Sequence, residues 1–277
     1  MKILIPTDFS VYSDFATTAG VEIAKRTKGS IFLYHCADVP DDWEDLSAEI
    51  RYKDEYNKSK ALWVRNSLEK IATEVRKEGV ECTPYYTGGK FLKNLDEMMD
   101  KENFDLIVMG SHGASGKQEW FIGSNTQKVL RKVQINTLVV KREFKISNFE
   151  QPLFVTGLFS DDFEALKRYL DFLTYFDTKK LHLIAIDTSS FFTEPAGVML
   201  GALEDFKSRI TDFEVITHFY KGNSIDQGVR KYVVENDIDL IGISNHLRHP
   251  IKRFFKGSNV EILANHSDVP ILSIDYN

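Results

Sequence analysis

An α/β protein of two tandem domains, each a mostly parallel five-stranded open sheet with helices on both faces, is the fold that the sequence predicts. Three observations carry it. The chain has 277 residues, enough for one large domain or two of ordinary size. Segments 83–140 and 217–274 align at a constant offset of 134 with no gap, which marks an internal repeat. Within each repeat, short apolar runs alternate with longer stretches of helical period.

The later part of the repeat pairs Asp105-Leu106-Ile107 with Asp239-Leu240-Ile241, His112 with His246, and Gly123-Ser124-Asn125 with Gly257-Ser258-Asn259. The front of each copy matches at an offset of 150, ILIPTDFS (3–10) with LFVTGLFS (153–160) and IFLYHCAD (31–38) with LHLIAIDT (181–188). The second copy is therefore 16 residues shorter between its second and third strands. The boundary falls near 145–151, giving domains over 1–146 and 150–277.

In the first copy, residues 2–7, 30–36, 80–87, 105–110 and 137–141 are apolar runs rich in Ile, Val, Leu and Tyr, and read as strands. A helix starts at the N-cap residue Ser10 and ends before Gly29, a C′ glycine. A long helix covers 43–78, with Leu68, Ile71, Ala72 and Val75 on one face and Gly79 closing it. Further helices cover 90–101 and 124–132. The order βαβαβαβαβ with mostly apolar strands calls for a parallel sheet covered on both faces. The last strands, 137–141 and 270–274, are the expected contact between the copies, related by a pseudo-two-fold axis.

Composition narrows the classes. No stretch of about 18 apolar residues predicts a transmembrane helix, and no basic n-region with an apolar core predicts a secretory signal. The two cysteines, Cys36 and Cys82, fit a reducing cytoplasm better than a disulfide framework. The net charge of −6 is unevenly spread. Residues 1–146 hold 22 Lys+Arg against 22 Asp+Glu, and the remainder 13 against 19. An acidic chain is a poor general binder of nucleic acid, whose affinity comes largely from cationic contacts to phosphate.

Ligands of open parallel sheets bind outside the carboxyl ends of the strands. There the first copy has Gly110-Ser-His-Gly113, nine residues, then Gly123-Ser124-Asn125-Thr126 opening a helix. Glycines let the backbone approach a ligand. A helix N-terminus offers unpaired N–H groups and a positive dipole end to phosphate, and Ser124 and Thr126 add hydroxyl donors. Asp8, past the first strand, faces the same crevice and can accept from ribose hydroxyls. Any one piece reads better as an ordinary turn or capped helix; the whole arrangement points to a nucleotide or similar phosphate ligand.

The pattern G-x2-G-x9-G-[ST], preceded by DLIVMG and with IPTDFS at the N-terminus, resembles the universal stress protein family, its ATP-binding type. The resemblance covers the first copy from end to end and the second more faintly, as in a tandem member. It implies a fold like that of the adenine-nucleotide α-hydrolases, ATP or AMP in the crevice (with Mg²⁺ an open question), and little or no dedicated catalysis. By position, Pro6, Thr7 and Asp8 resemble the segment meeting adenine and ribose, and Cys36 the apolar contact to the base. Met109, Gly110, His112 and Gly113 resemble the loop around ribose and α-phosphate, and Gly123, Ser124, Asn125 and Thr126 the phosphate-cradling turn. The second copy departs from the pattern. Gly110 becomes Ser244, Gly113 becomes Leu247, Thr126 becomes Val260 and, at the offset of 150, Asp8 becomes Leu158. No nucleotide is expected there.

Other residues stay with plainer roles. His246, His249 and His266 lack the ligand cluster of a metal site. The basic run 248–256 reads as a solvated loop, and Lys117 as an exposed loop lysine or a screen for phosphate. Thr87-Gly88-Gly89-Lys90 misses the Walker A spacing and reads as a turn into the third helix. Trp120-Phe121 and Met98-Met99 read as packing. No nucleophile, base and orienting group can be assigned, so the chain is expected not to be an enzyme. Two rivals remain: a nucleotide-independent interaction scaffold, and a weak ATP hydrolase. The hydrolase group resembles a Ser-Gly-Gly-x-Asp-Ser loop, where this chain has Pro-Thr-Asp-Phe-Ser. Protein partners are not legible, and a homodimer of two chains stays open.

Overall fold

The computed structural model describes residues 1–40, 43, 46–111, 123–143, 149–158, 162–188, 195–222, 224–245 and 259–275, with backbone only at 52 and 53. The first copy runs β1 (Lys2–Pro6), α1 (Val11–Thr27), β2 (Ser30–Ala37), α2 (Ala48–Lys53), α3 (Glu55–Lys77), β3 (Glu81–Gly88), α4 (Phe91–Lys101), β4 (Leu106–Gly110), α5 (Ser124–Lys132) and β5 (Thr137–Val140). The second runs β6 (Pro152–Thr156), α6 (Asp162–Leu173), a 3-10 turn (Thr174–Phe176), β7 (Lys180–Asp187), α7 (Ala196–Ser208), β8 (Glu214–Lys221), α8 (Ile225–Glu235), β9 (Leu240–Ser244), α9 (Asn259–His266) and β10 (Ile271–Ile274).

The strands make one ten-stranded sheet in the order β3-β2-β1-β4-β5-β10-β9-β6-β7-β8. Pairing is parallel within each half and antiparallel only where β5 meets β10. The expected contact between last strands is therefore a shared ladder, with Val139 opposite Ile271 and Thr137 opposite Ser273. Strands buried on both faces explain the unbroken apolar runs. Ile3, Leu4 and Ile5 are all fully buried, each contributing about 1.5–3 kcal/mol by leaving water.

Three details depart from the sequence reading. The helix expected over 43–78 breaks at Asp54, whose carboxylate accepts from Asn57 N–H at 3.0 Å and caps α3. The left-handed residue ending α1 is Lys28 (φ 50°), not Gly29. Gly29 is needed for room instead, since a Cβ there would lie 2.2 Å from the Met1 carbonyl.

The third departure concerns register. Leu4 lies beside Phe32 and Ile107, whereas Leu153 lies beside His182 and Ile241. Phe32 and His182 stand 150 apart, and Ile107 and Ile241 stand 134 apart, so Leu4 corresponds to Leu153 at an offset of 149. The match of β1 to β6 at 150 is one residue out, because two uniformly apolar runs align almost as well when slipped. The structural counterpart of Asp8 is thus Gly157, not Leu158.

Across the pseudo-two-fold seam, α5 and α9 are clamped by Glu261, which is nearly fully buried. Its carboxylate accepts from Arg131 Nε and Nη2, both at 2.7 Å, and from Gln127 Nε2 at 2.9 Å. At the end of β5, Lys141 Nζ donates to the Asn265 carbonyl at 2.5 Å. Burial pushes the Lys141 amine down to about 8, only partly offset by Asp268. The unfolded chain, with its lysine near 10.5, binds the extra proton between these values. Stability therefore rises with pH from about 8 to 10.5. Lys141→Met, with no charge to bury, is expected to be more stable than the parent at pH 7 and to lose that rise, as thermal melts across the window will register.

Candidate functional site

The carboxyl ends of β1 and β4 adjoin at the point where strand order reverses, the place where open parallel sheets hold ligands. The β1–α1 loop is tightly organised. Thr7 N–H donates to the Tyr34 carbonyl at 2.8 Å. Its buried hydroxyl donates to Ser13 Oγ at 3.0 Å and accepts from Phe9 N–H at 3.0 Å. Ser13 Oγ in turn donates to the Ser10 carbonyl at 2.8 Å, and Ser10 caps α1 by accepting from Ser13 N–H.

This network presents Asp8. Its side chain is exposed, and Oδ1 accepts from Ser10 N–H at 3.0 Å. Partial burial raises its pKa, but hydrogen bonds from Ser10 and Ser13 outweigh that and hold the carboxyl below the usual range. Asp8 is accordingly an anion at neutral pH, ready to accept from hydroxyls. Pro6 is buried at the end of β1.

Gly110 ends β4 against the first turn of α1. A Cβ there would lie 2.1 Å from the Tyr12 carbonyl oxygen and 2.7 Å from Ser13 N, so this glycine is required for the approach of helix to strand. Its carbonyl accepts from Thr126 Oγ1 at 3.1 Å. Thr126 is buried, and its hydroxyl proton ties α5 to β4. That differs from its expected use as a donor to ligand. Ser124 and Asn125 are exposed at the start of α5, and Gly123 caps the helix with no side-chain hydrogen bond. The start of α5 brings its backbone N–H groups and the positive end of its dipole beside the end of β4. Met109 is buried in the core beside Leu4, Tyr34 and Val129, which leaves only its backbone to a ligand. Of the other expected site residues, His112 and Gly113 lie outside the described residues, as do Lys117, Trp120 and Phe121.

Cys36, at the end of β2, is half-buried; its thiol donates to the Gly89 carbonyl at 3.2 Å. Asn94 Nδ2 fastens the same turn through the Gly88 carbonyl at 2.6 Å and Thr87 Oγ1 at 3.1 Å. Gly89 takes φ +91° and Lys90 caps α4, so Thr87-Gly88-Gly89-Lys90 is the turn into a helix that its spacing implied. Sequence reasoning missed Ser13, visible only as the second serine of the Ser10-x-x-Ser13 cap.

The second copy builds the corresponding turn with different side chains. Asp162, the counterpart of Ser13, is fully buried. Its carboxylate accepts from Thr156 Oγ1 at 2.9 Å, Gly157 N–H at 2.7 Å and Ser244 Oγ at 2.6 Å. Ser244 stands for Gly110, and Gly157 for Asp8. The Gly157 N–H, at the position of Asp8, is thus taken in the second copy by the Asp162 side chain. Val260, in place of Thr126, is buried and apolar. Leu247, Gly257, Ser258, His246, His249 and the basic run 248–256 lie outside the described residues. His266 Nδ1 stands 2.9 Å from Asp226 Oδ1.

With this geometry in place, comparison with known proteins is decisive for kinship. The model of the universal stress protein family matches residues 1–141. The chain belongs to the universal stress protein family. Universal stress protein MJ0531 of Methanocaldococcus jannaschii is 27% identical over 152 residues, covering 52% of this chain and 84% of its own. Universal stress protein MJ0577 of the same organism is 28% identical over 158 residues, covering 51% and 95%. A universal stress protein from Archaeoglobus fulgidus, 18% identical, superposes over 100% of this chain and 98% of its own at a TM-score of 0.76. At that identity the likeness speaks for fold, and it extends through both halves. This universal stress protein accordingly carries a second copy of the fold beyond the matched segment. No helix among the described residues is long and apolar enough to cross a membrane.

Proposed function

We propose that this universal stress protein binds one adenine nucleotide, ATP or AMP, in its N-terminal crevice. In this reading it acts as a stress-related sensor or protective protein, not as a dedicated enzyme. The observation that carries the reading is the contrast between the two copies. In the first, Asp8 is exposed just past β1, and Ser124 and Asn125 are exposed at the start of α5. In the second, Gly157 stands for Asp8 and offers no carboxylate, and its N–H is taken by Asp162. Asp8 suits ribose hydroxyls, and the α5 N-terminus suits phosphate. Nucleotide occupancy would then alter how the N-terminal half meets other proteins, while the C-terminal half completes the pseudo-dimeric body.

The test is calorimetric titration of the full chain with ATP and with AMP, each with and without Mg²⁺. One site per chain is expected. Asp8→Ala should weaken it about 10- to 100-fold, the worth of a charged hydrogen bond at roughly 1.5–3 kcal/mol. Two sites per chain, or full affinity in Asp8→Ala, would overturn the assignment. No binding by folded protein would leave the N-terminal crevice a structural inheritance.

A further inference from the structure

The β1–α1 loop contains a residue in an unfavourable conformation whose restraints lie behind the crevice. Phe9 has φ 63°, a left-handed backbone that costs a bulky residue about 1–3 kcal/mol and persists only where its surroundings hold it. Its N–H is taken by Thr7 Oγ1. Its ring lies 4.6 Å from the His35 ring and, edge-on, 4.9 Å from Trp63. His35 Nδ1 stands 2.8 Å from the Thr7 carbonyl. A carbonyl oxygen only accepts, so Nδ1 carries the proton and the neutral ring is the Nδ1–H tautomer.

The second copy is the internal control. Leu158, the counterpart of Phe9, has φ 60°, and its N–H is taken by Thr156 Oγ1 at 2.9 Å. The turn is the same, but its supports differ. Ala185 stands where His35 would be, at the offset of 150 that the β2–β7 register keeps. There Asp162 holds the turn through both Thr156 Oγ1 and the Gly157 N–H. Residue 13 or 162 holds the threonine hydroxyl in both copies, but only the first copy adds a histidine on the threonine carbonyl and a ring against the left-handed residue.

We propose that His35 is the positioning residue of the nucleotide site, bracing the Thr7–Phe9 turn from behind so that Asp8 stays free to face the ligand. For its ligand, though not for the turn, this rests on the nucleotide reading above.

The experiment uses the full chain and two readouts. Nitrogen-15 NMR of the parent protein should find neutral His35 as the Nδ1–H tautomer. In His35→Leu, amide exchange at Phe9 and Ser10 should quicken about tenfold or more while exchange in β4 and β5 is unchanged, a local opening. ATP affinity should fall about tenfold with it, since a disordered turn lowers the competent fraction. His35→Asn, whose Nδ2–H can replace Nδ1–H toward the Thr7 carbonyl, should restore both. An Nε2–H tautomer overturns the proposal, as does a folded His35→Leu with parental exchange at Phe9. If the parent protein binds no ATP, the nucleotide reading falls, while tautomer and exchange still decide what His35 does. If His35→Leu does not fold, the tautomer and the His35→Asn exchange rates decide it.

Discussion

Asp162→Ala is expected to cost the chain about 2–4 kcal/mol of unfolding free energy, because each buried donor left without an acceptor loses about 1–3 kcal/mol and relaxation recovers part of it. Two buried hydroxyl donors, on Thr156 and Ser244, lose their acceptor at once, as does the N–H of Gly157, an exposed residue whose donor water can reach. Asp162→Asn keeps the shape and one acceptor oxygen and should cost less. Urea denaturation of the full chain, followed by tyrosine and tryptophan fluorescence, will rank the three proteins. Equal midpoints would mean that this carboxylate does not hold the β6–α6 turn. Neither variant should gain a nucleotide site, because Ser244 and Val260 remain.

The second large effect belongs to Gly110. Gly110→Ala places a methyl group 2.1–2.7 Å from backbone atoms of Tyr12 and Ser13. Backbone at a helix N-terminus cannot swing aside as a side chain can, so α1 and β4 must separate. Overpacking of this kind costs about 1–3 kcal/mol, and it displaces Ser13, the link between Thr7 and Ser10. The substitution is therefore expected to lower the melting temperature and to weaken ATP binding by more than about tenfold, a loss of over 1.4 kcal/mol. Unchanged affinity with a lowered melting temperature would confine Gly110 to packing. The same change made at Gly79, which takes φ +81° with open space around it, should reduce stability through its backbone alone and leave binding untouched.

The fold was legible because its signals are local. Apolar runs separated by helical periods located every strand of the first copy, and Ser10 and Gly79 marked real helix ends. What escaped depended on contacts distant in sequence. Nothing near Gly110 announces that Tyr12 presses against it. Nothing in the second copy's sequence says that an acidic residue at 162 turns inward, since an aspartate in the first turn of a helix is ordinarily solvated and favourable there. The slipped match of β1 to β6 has the same origin: side chains buried on both faces lose the alternation that fixes register. For the candidate site, residue types in the right order pointed to Asp8, Gly110 and the start of α5, which the fold brings to the carboxyl ends of β1 and β4. The roles of Thr126, which bonds to Gly110, and of Met109, which is core, were set by which way each side chain turns.

The β5–β10 ladder has a consequence for how copies of the chain are kept apart. Its register pairs three residues from each strand, and the two strands are the inner edges of otherwise complete parallel sheets. Should the halves part before either unfolds, each presents a bare apolar edge matched to the other's. A second chain in the same condition offers that edge equally well, so reciprocal exchange of C-terminal halves is the natural misassembly of this architecture. The clamp of Arg131 and Gln127 on Glu261 then matters less for overall stability than as a latch, slowing the first step of exchange and keeping each chain closed upon itself.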